Sequence, residues 1–228
     1  MLTLETVQQR CHDCRSCSLA NVRTNVVFGE GNPLSRLVLV GEGPGQDEDE
    51  TGRPFVGRAG ILLRTTLGAL GLDPAVDLYI ANVVKCRPPS NRVPSVEEIE
   101  ACSVHLDDQL RLLNPLVVVT LGKTATDALL GTDAVPIGKL RGQPVKIGNT
   151  TVLPTFHPSY LARQSAIPLS VKGTTFAKRI KDLYQEHAVL TNTPYALFIK
   201  DLRRSRELME EKLNVPGRSS NYWSQVQG

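Results

Sequence analysis

The sequence of 228 residues lacks the features of a membrane or secreted protein. No apolar run approaches the roughly 20 residues that a membrane-spanning helix requires. The start of the chain has no basic segment followed by an apolar one, so we expect no secretion signal and a cytoplasmic location. Because disulfides are rare in such a reducing compartment, the cysteines are expected to be free or to bind a metal.

The chain also lacks a strong charge of either sign. Its formal net charge is +3, which does not by itself indicate a nucleic-acid partner, because local clustering matters more than the total. Basic residues gather near the C-terminus, within Lys178–Asp182 and Ile199–Glu207. We interpret the second cluster as the solvated face of a helix. Hydrophobic residues make up 41% of the chain, which is ordinary for a globular protein with a core.

Cysteines are few, and their grouping is informative. Three of them form a C-x2-C-x2-C pattern and two lie far along the chain: Cys11, Cys14, Cys17, Cys86 and Cys102. This grouping indicates metal or cluster chemistry. Spacing alone does not separate zinc from an iron–sulfur cluster, because both accept four thiolates.

Short apolar runs alternate with helical patterns along most of the chain. Four runs are predicted as strands, the last of them pairing with 140–145 as a hairpin: 36–41, 78–83, 116–121 and 151–156. Helices are predicted between and after them at 58–70, 95–114, 122–131 and 172–187. This alternation predicts an α/β fold of three layers, α/β/α, around a central, mainly parallel four-stranded sheet.

Three polar loops rich in Gly or Pro begin where predicted strands end, at Gly41, Val83 and Phe156. In parallel sheets, ligands bind outside the carboxyl ends of the strands. We therefore expect the three loops to converge on one rim and to form the functional site there.

The chain changes character near residue 190. We predict one domain over residues 1–190, including the N-terminal cysteine segment, and a charged, polar extension over 191–228. Within the extension, Ser205–Leu213 is predicted as a helix, and 216–228 as a frayed, partly disordered tail.

Four motifs, in order, carry a resemblance to a known family. They are CRSC (14–17) followed by RTNVVFGEGNP (23–33), VGEGPGQDEDETGRPFVGRAG (40–60), IANVVKCRPPSNRVP (80–94) and FHPSYL (156–161). Together they resemble the family 4, or iron–sulfur, uracil-DNA glycosylases of bacteria and archaea, over residues 10–187. The resemblance implies a monofunctional repair enzyme that flips uracil out of DNA and hydrolyses its N-glycosidic bond. An abasic site would remain, and we expect a monomer with no membrane partner.

The glycine loop after the first strand is neither a P-loop nor a dinucleotide fingerprint. By resemblance, Gly41 and Gly43 belong to one wall of the uracil pocket, Glu42 orients and activates the attacking water, and Glu48 shapes the pocket near C5 of the base. The best-known glycosylases of this fold carry Asp where Gly43 stands, which leaves the identity of the base open. Such hydrolysis needs little base help if the departing uracil anion is stabilised.

Two further residues are predicted to contact the base. Phe55 could be a core anchor, whereas the resemblance makes it a stacking platform for a flipped base. Asn82 lies in an apolar strand, where an amide needs a partner. By resemblance its amide pairs with O4 and N3–H of uracil, which would reject cytosine because cytosine presents the reversed pattern.

The motif after the last strand supplies the remaining roles. By resemblance, His157 donates a hydrogen bond to uracil O2 as charge accumulates there. Ser159, Tyr160 and Leu161 would form the loop that enters the minor groove, with Leu161 filling the gap left by the flipped nucleotide. Arg163 is a candidate phosphate contact.

The resemblance assigns Cys14, Cys17, Cys86 and Cys102 as ligands of one structural [4Fe–4S] cluster, which leaves Cys11 spare. Spacing alone would also allow Cys11 to replace Cys14 or Cys17. The cluster would position the nearby cations Lys85, Arg87 and Arg92 for contacts with DNA phosphates.

Three alternatives stay open. A relative that traps DNA covalently would carry a His in an inserted loop after Cys86, and this chain has none there. A glycosylase of broader base specificity would show Ala at the position of Gly43 and lack Glu42, so the retained Glu42 favours uracil. A nucleotide-phosphate enzyme would need a P-loop lysine, which the glycine loop lacks.

Overall fold

A computed structural model of the protein describes residues 2–132, 134–164, 173–187 and 192–213. Six strands form one sheet: β1 (Glu30–Gly31), β2 (Leu37–Gly41), β3 (Tyr79–Asn82), β4 (Val117–Leu121), β5 (Val145–Ile147) and β6 (Thr150–Thr155). The helices of the described chain are α1 (Leu4–Asp13), α2 (Gln46–Thr51), α3 (Arg58–Ala69), α4 (Val96–Leu113), α5 (Lys123–Leu130), α6 (Ile137–Leu140), α7 (Pro158–Gln164), α8 (Gly173–His187) and α9 (Pro194–Leu213).

The sheet confirms the predicted parallel core. Its strand order is β1-β3-β2-β4-β6-β5, and the four inner strands are parallel. The short strands β1 and β5 pair antiparallel at the two edges and extend the predicted four strands to six. The register sets Gly41 opposite Asn82 and Leu121 opposite Thr155, so the carboxyl ends of the inner strands share one edge.

Both faces of the sheet are covered, because alternate residues of the buried strands point to opposite sides. One face packs on α3, α7, α8 and α9 through a core that includes Leu39, Ile80, Val119, Leu153 and Phe198. The opposite face packs on α1, α4 and α5 through Val7, Val40, Ala81, Leu106 and Val118. The three predicted layers are therefore present.

Local signals fixed several helix ends. Ser95 caps α4: its hydroxyl accepts from the backbone N–H of Glu98, whose carboxylate accepts from the N–H of Ser95. This is the predicted capping box. At the other end, Asn114 adopts the left-handed conformation and precedes the predicted stop at Pro115.

Two expectations differ from the structure. The first strand of the predicted hairpin, 140–145, begins only at Val145 as β5, because Leu140 ends α6 and a turn at 141–142 follows. The last helix begins at Pro194 rather than Ser205, and its inner side chains Phe198 and Leu202 join the core.

The arginines and glutamates of the C-terminal half of this helix form ion pairs along its surface, whereas Asp201 is buried and pairs with Arg141. Arg204 pairs with Glu207 and Glu211, and Arg206 pairs with Glu210. The predicted domain boundary near residue 190 and the predicted frayed tail at 216–228 lie outside the described residues. None of the described helices is both long and apolar enough to cross a membrane.

Candidate active site at the carboxyl edge of the sheet

A pocket of about 670 Å³ opens at the carboxyl ends of the inner strands. Its size is typical of a small-molecule site. The loops after β2, β3 and β6 all contribute to its wall, with Glu42, Gly43, Glu48, Phe55, Asn82, His157, Ser159 and Arg163 among the lining residues. The three polar loops therefore converge as predicted.

Gly41 does not line the pocket itself but lies against two side chains that do, Phe55 and Asn82. A Cβ on Gly41 would lie 2.4 Å from Asn82 Oδ1 and 2.5 Å from Phe55 Cζ, both far inside contact distance. The ring of Phe55 also lies near the imidazole of His157, with centroids 6.1 Å apart. Phe55, Asn82 and His157 thus surround one space, and only Gly at position 41 leaves room for them.

The backbone at Phe55 is held in an unusual conformation. Its φ is 53°, which is uncommon for a residue with a bulky side chain. The guanidinium of Arg64 fixes this turn by donating to the carbonyls of Phe55 and Pro54, each at 2.8 Å. A Cβ on Gly60 would lie 2.0 Å from the carbonyl of Phe55, so Gly60 is also required. Strain of this kind occurs where a side chain must be aimed.

Glu48 organises the same loop. One carboxylate oxygen accepts from the backbone N–H of Val56 (2.8 Å) and Gly57 (2.7 Å), and the other accepts from the N–H of Gly45 (3.1 Å). Glu48 therefore ties the two ends of the glycine loop together at the pocket wall. The Glu42 carboxylate lines the same pocket.

Asn82 is almost fully buried, with 2% of its surface exposed. Its Oδ1 has no hydrogen-bond partner within the described part of the chain. An unpaired buried amide oxygen costs about 1–3 kcal/mol. Because Asn82 lines the pocket, a ligand that donates a hydrogen bond there would remove that cost.

The imidazole of His157 is held in one tautomer. Its Nδ1 accepts from the backbone N–H of Ser159 (3.1 Å) and lies 2.7 Å from the Ser159 hydroxyl. Burial, with a smaller effect from Arg163, lowers the pKa of His157 to about 4. The ring is therefore neutral at pH 7, with its proton on Nε2, which makes Nε2 a hydrogen-bond donor.

The loop after β4 also reaches the site, in addition to the three predicted loops. The hydroxyl of Thr124 donates to Glu42 Oε2 at 2.5 Å. Gly122 has a φ of +90°, and a Cβ there would lie 2.8 Å from Cβ of His157. Both residues follow a predicted parallel strand, so the rule that located the other three loops would also have located this one.

Three arginines lie around the predicted DNA-binding side. Arg163 is exposed at the end of α7 and lines the pocket rim. Arg87 donates to the Asn91 side chain at 2.7 Å, and Arg92 pairs with Glu98 through both its terminal nitrogens. Arg163 and Arg92 are both exposed, but the charge of Arg92 is compensated by Glu98 within the protein.

Two predicted DNA contacts are wrong. Leu161 is 2% exposed and packs in the core beneath α7, because the segment after His157 is a helix that turns this side chain inward. Lys85 is fully buried: its Nζ donates to the carbonyl of Asn82 (2.8 Å) and to Gln109 Oε1 (2.5 Å). Neither side chain can reach a DNA duplex from its position.

The cysteines form a second, smaller cavity behind the pocket. All five thiols contribute to its wall, together with Arg23, Lys85 and His105. Sulfur atoms here are already hydrogen-bonded, since Arg23 donates to Cys86 Sγ (3.2 Å) and the backbone N–H of Lys85 donates to Cys102 Sγ (3.3 Å). Among the described side chains, no three are arranged to hold a single metal ion.

Burial affects these thiols strongly. It raises the pKa of Cys102 to about 11 and that of Cys11 to about 12, while Lys85 opposes both shifts. A thiolate here therefore needs a metal or a nearby cation to stabilise it. The donor set of clustered thiols, with N–H donors aimed at two sulfurs, is suited to a group ligated by sulfur.

The fold and the pocket together define an α/β/α protein with a ligand site at the carboxyl edge of a parallel sheet. The family model of the uracil DNA glycosylase superfamily matches residues 28–184. A type-4 uracil-DNA glycosylase of Thermotoga maritima is 52% identical over 161 residues, covering 70% of this chain and 83% of that protein. A type-4 enzyme of Sulfurisphaera tokodaii is 42% identical, covering 70% and 76%, respectively.

A type-5 uracil-DNA glycosylase of Thermus thermophilus is 39% identical over a shorter stretch, covering 46% of this chain and 53% of that protein. The family match and the extent of the type-4 similarity agree with the motifs. The chain belongs to the uracil DNA glycosylase superfamily and, within it, to the type-4 family.

Proposed function

We propose that this protein removes uracil from DNA by hydrolysing the N-glycosidic bond of a flipped nucleotide, as a monofunctional enzyme of base excision repair. The observation that carries the proposal is the convergence of Phe55, Asn82 and His157 on one pocket. Membership of the type-4 family supports it. A cytoplasmic location and a monomeric state remain predictions.

Recognition of the base rests on Phe55 and Asn82. The Phe55 ring offers a flat surface on which a flipped base can stack. The unpaired Oδ1 of Asn82 accepts from N3–H of uracil, and the amide nitrogen donates to O4. Cytosine lacks the N3 proton, so Oδ1 would face an acceptor and the site would reject the base.

The leaving group is stabilised by His157. When the glycosidic bond breaks, the electron pair goes to uracil, and negative charge develops on its O2. A neutral imidazole whose Nδ1 accepts from Ser159 N–H presents Nε2–H to that oxygen. Such a fixed donor contributes more in a buried pocket than in water, because it needs no reorganisation as the charge develops.

Water attack is assigned to Glu42. The Thr124 hydroxyl fixes one carboxylate oxygen, Oε2. The other oxygen can then accept a proton from the water that adds to C1′ of the sugar. Glu48 holds the loop in shape and is not the base, because both its oxygens accept backbone N–H groups.

DNA contact at the pocket mouth is assigned to Arg163, Arg87 and the helix that begins after His157. Phosphate contacts from such cations provide affinity without sequence information. The buried position of Leu161 removes it as the wedge. Ser159 acts on His157 rather than on DNA, because its N–H and hydroxyl both face the imidazole.

The clustered thiols fit a [4Fe–4S] cluster, held by Cys14, Cys17, Cys86 and Cys102, which would supply structural cross-linking of the N-terminal segment to the β3–α4 connection. Ligands of one zinc ion stand about 2.3 Å from it and therefore close together. A four-iron cube spaces its ligands farther apart. The five cysteines on one cavity wall and membership of the type-4 family support the cluster.

The test is a cleavage assay on an oligonucleotide with a single uracil, followed by alkali. Strand breakage after alkali, at uracil and not at cytosine, is expected. A stable protein–DNA adduct would instead indicate a trapping relative, and release of several bases would indicate broader specificity. An intact strand with no adduct would contradict the proposal.

A further inference from the structure

The ammonium of Lys85 lies between the cysteine cavity and the pocket. Its Nζ donates to the backbone carbonyl of Asn82 and to Gln109 Oε1, whose amide nitrogen in turn donates to the Phe28 carbonyl. The backbone N–H of Lys85 donates to Cys102 Sγ, and Cys86 is the next residue. This one residue therefore contacts the recognition strand and the cysteine cavity together.

The charge of this ammonium needs compensation. Both acceptors of Nζ are neutral, and no ion pair of Lys85 occurs among the described residues. A buried cation without a counter-charge is strongly unfavourable. Cluster-bound thiolates would be the nearest source of negative charge, since the cysteines on the cavity wall flank the residue.

The Asn82 amide depends on its backbone for orientation. Its Oδ1 has no partner in the described chain before a base enters. Strand β3 ends at Asn82, and beyond it the chain stays attached to β2 through Val83 N–H to Gly41 O (2.9 Å) and Val84 N–H to Glu42 O (3.1 Å). The Asn82 carbonyl is held at this exit by Lys85 Nζ.

We propose that Lys85 is a positioning residue for base recognition: its ammonium, balanced by the charge of the cysteine-bound cluster, fixes the Asn82 carbonyl and thereby aims the Asn82 amide at the base. This inference rests on the proposed function and adds a specificity role for a residue that does not touch the substrate. It links retention of the cluster to the discrimination of uracil from cytosine.

The experiment compares the wild-type holoprotein with Lys85→Met, Asn82→Ala and the double variant. Methionine keeps the length of the side chain and removes its charge and donors. Two measurements are made: the rate of iron release to a chelator, and the binding constants for oligonucleotides with one 2′-fluorinated deoxyuridine or deoxycytidine, which resist cleavage. Neither measurement requires turnover.

We expect Lys85→Met to release iron faster and to lower the preference for uracil on the order of tenfold to hundredfold, as small misplacements in a site do. In the Asn82→Ala background, Lys85→Met should lower that preference no further, because both changes act on one interaction. The proposal would be overturned if Lys85→Met kept the wild-type uracil preference. It would also be overturned if the loss of preference in the double variant equalled the product of the losses in the two single variants.

Arg23→Met is the matched control. Arg23 donates to Cys86 Sγ and to the His12 carbonyl, and so it meets the same cavity without contacting β3. Its removal should speed iron release. If uracil preference falls as far in Arg23→Met as in Lys85→Met at equal iron content, cluster loss alone explains the effect and the inference fails.

Gln109→Met replaces Lys85→Met if that variant does not fold. It removes one acceptor of the ammonium and should lower uracil preference in the same direction by a smaller factor. Unchanged preference there would overturn the proposal. Uracil release by the wild-type protein is measured in parallel: its absence refutes the proposed function, whereas its presence with unaltered variants refutes only the role of Lys85.

Discussion

The pocket and the cysteine cavity lie on either side of the connection that follows β3. They differ in whether their buried acceptor atoms have hydrogen-bond donors within the protein. In the pocket, Asn82 Oδ1 is buried without a partner among the described residues. In the cavity, Cys86 and Cys102 each accept a hydrogen bond from a nitrogen donor.

This difference separates a transient ligand from a resident one. An unpaired buried acceptor destabilises the free protein by about 1–3 kcal/mol and is satisfied only when a complementary base enters. Sulfur atoms that already accept hydrogen bonds from the protein are suited to ligating a permanently bound cofactor. Loss of a pocket side chain that contacts the base should therefore affect the rate, and loss of a cysteine ligand should affect stability.

The largest expected effect is that of His157→Ala. Removing one fixed donor to a developing anion lowers the single-turnover rate constant for uracil release by about 10²–10³-fold. The matched control is His105→Ala, which removes a buried imidazole from the cysteine cavity. A loss of rate in His105→Ala equal to that in His157→Ala would remove the distinction between the two sites.

Cys86→Ser should reduce the stability of the protein, whereas His157→Ala reduces the rate of uracil release. We expect loss of iron and a fall of about 3 kcal/mol in the free energy of unfolding, because loss of a metal site is among the causes of large single-substitution effects. Iron content and urea unfolding measure these quantities. Cys11→Ser is the control, because Cys11 stands outside the assigned ligand set and its variant should keep its iron. Iron loss from Cys11→Ser with retention in Cys14→Ser would reassign the ligands.

Asn82→Asp tests the recognition side of the pocket. The carboxylate cannot donate to uracil O4, so uracil release should slow by roughly tenfold to hundredfold, equivalent to about 1–3 kcal/mol for a group left unpaired. Release of cytosine should increase, because the carboxylate accepts from its N4–H. Competition between single-uracil and single-cytosine oligonucleotides measures both. An unchanged ratio would exclude Asn82 from base recognition.

The sequence was sufficient to locate the pocket because the location follows from topology. Parallel strands rich in branched residues end on one edge, and polar loops at Gly41, Val83 and Phe156 had to meet there. Capping by Ser95 and the stop at Asn114 were also predictable, since such signals act within a few residues.

Contacts between distant segments were not predictable in the same way. The burial of Lys85 depends on Gln109 in α4 offering an acceptor across the layer. Leu161 was expected in a loop, whereas a helix beginning at Pro158 turns its side chain into the core. A local sequence pattern predicts the element on which a side chain lies. Whether that side chain points into the core or toward solvent depends on contacts with segments that are distant in the sequence.

A pH series separates the imidazole of the pocket from the rest of the protein. Burial lowers the pKa of His157 to about 4 in the folded state, below the value of about 6.5 in an unfolded chain. The unfolded chain therefore binds more protons between these values. The stability that neutral His157 contributes is complete above pH 6.5 and is lost as pH falls toward 4.

We expect the wild-type protein to lose more unfolding free energy than His157→Asn between pH 7 and pH 5, measured by urea unfolding at each pH. Other titrating groups act equally in both proteins and cancel in the difference. Parallel stability curves for the two proteins would show that His157 is not buried as a neutral ring.

The smallest expected effect is that of Thr124→Val, which removes the hydroxyl that donates a hydrogen bond to Glu42 Oε2. One such hydrogen bond contributes about 0.5–1.5 kcal/mol, so the rate constant should fall by roughly threefold to tenfold. Thr124→Ser keeps the hydroxyl and should retain most of the rate. In a Glu42→Gln background the valine change should have no further effect, because the interaction is already altered. A full effect of Thr124→Val in that background would mean that Thr124 acts on the site through another group, and Glu42 would lose its support as the residue that orients the water.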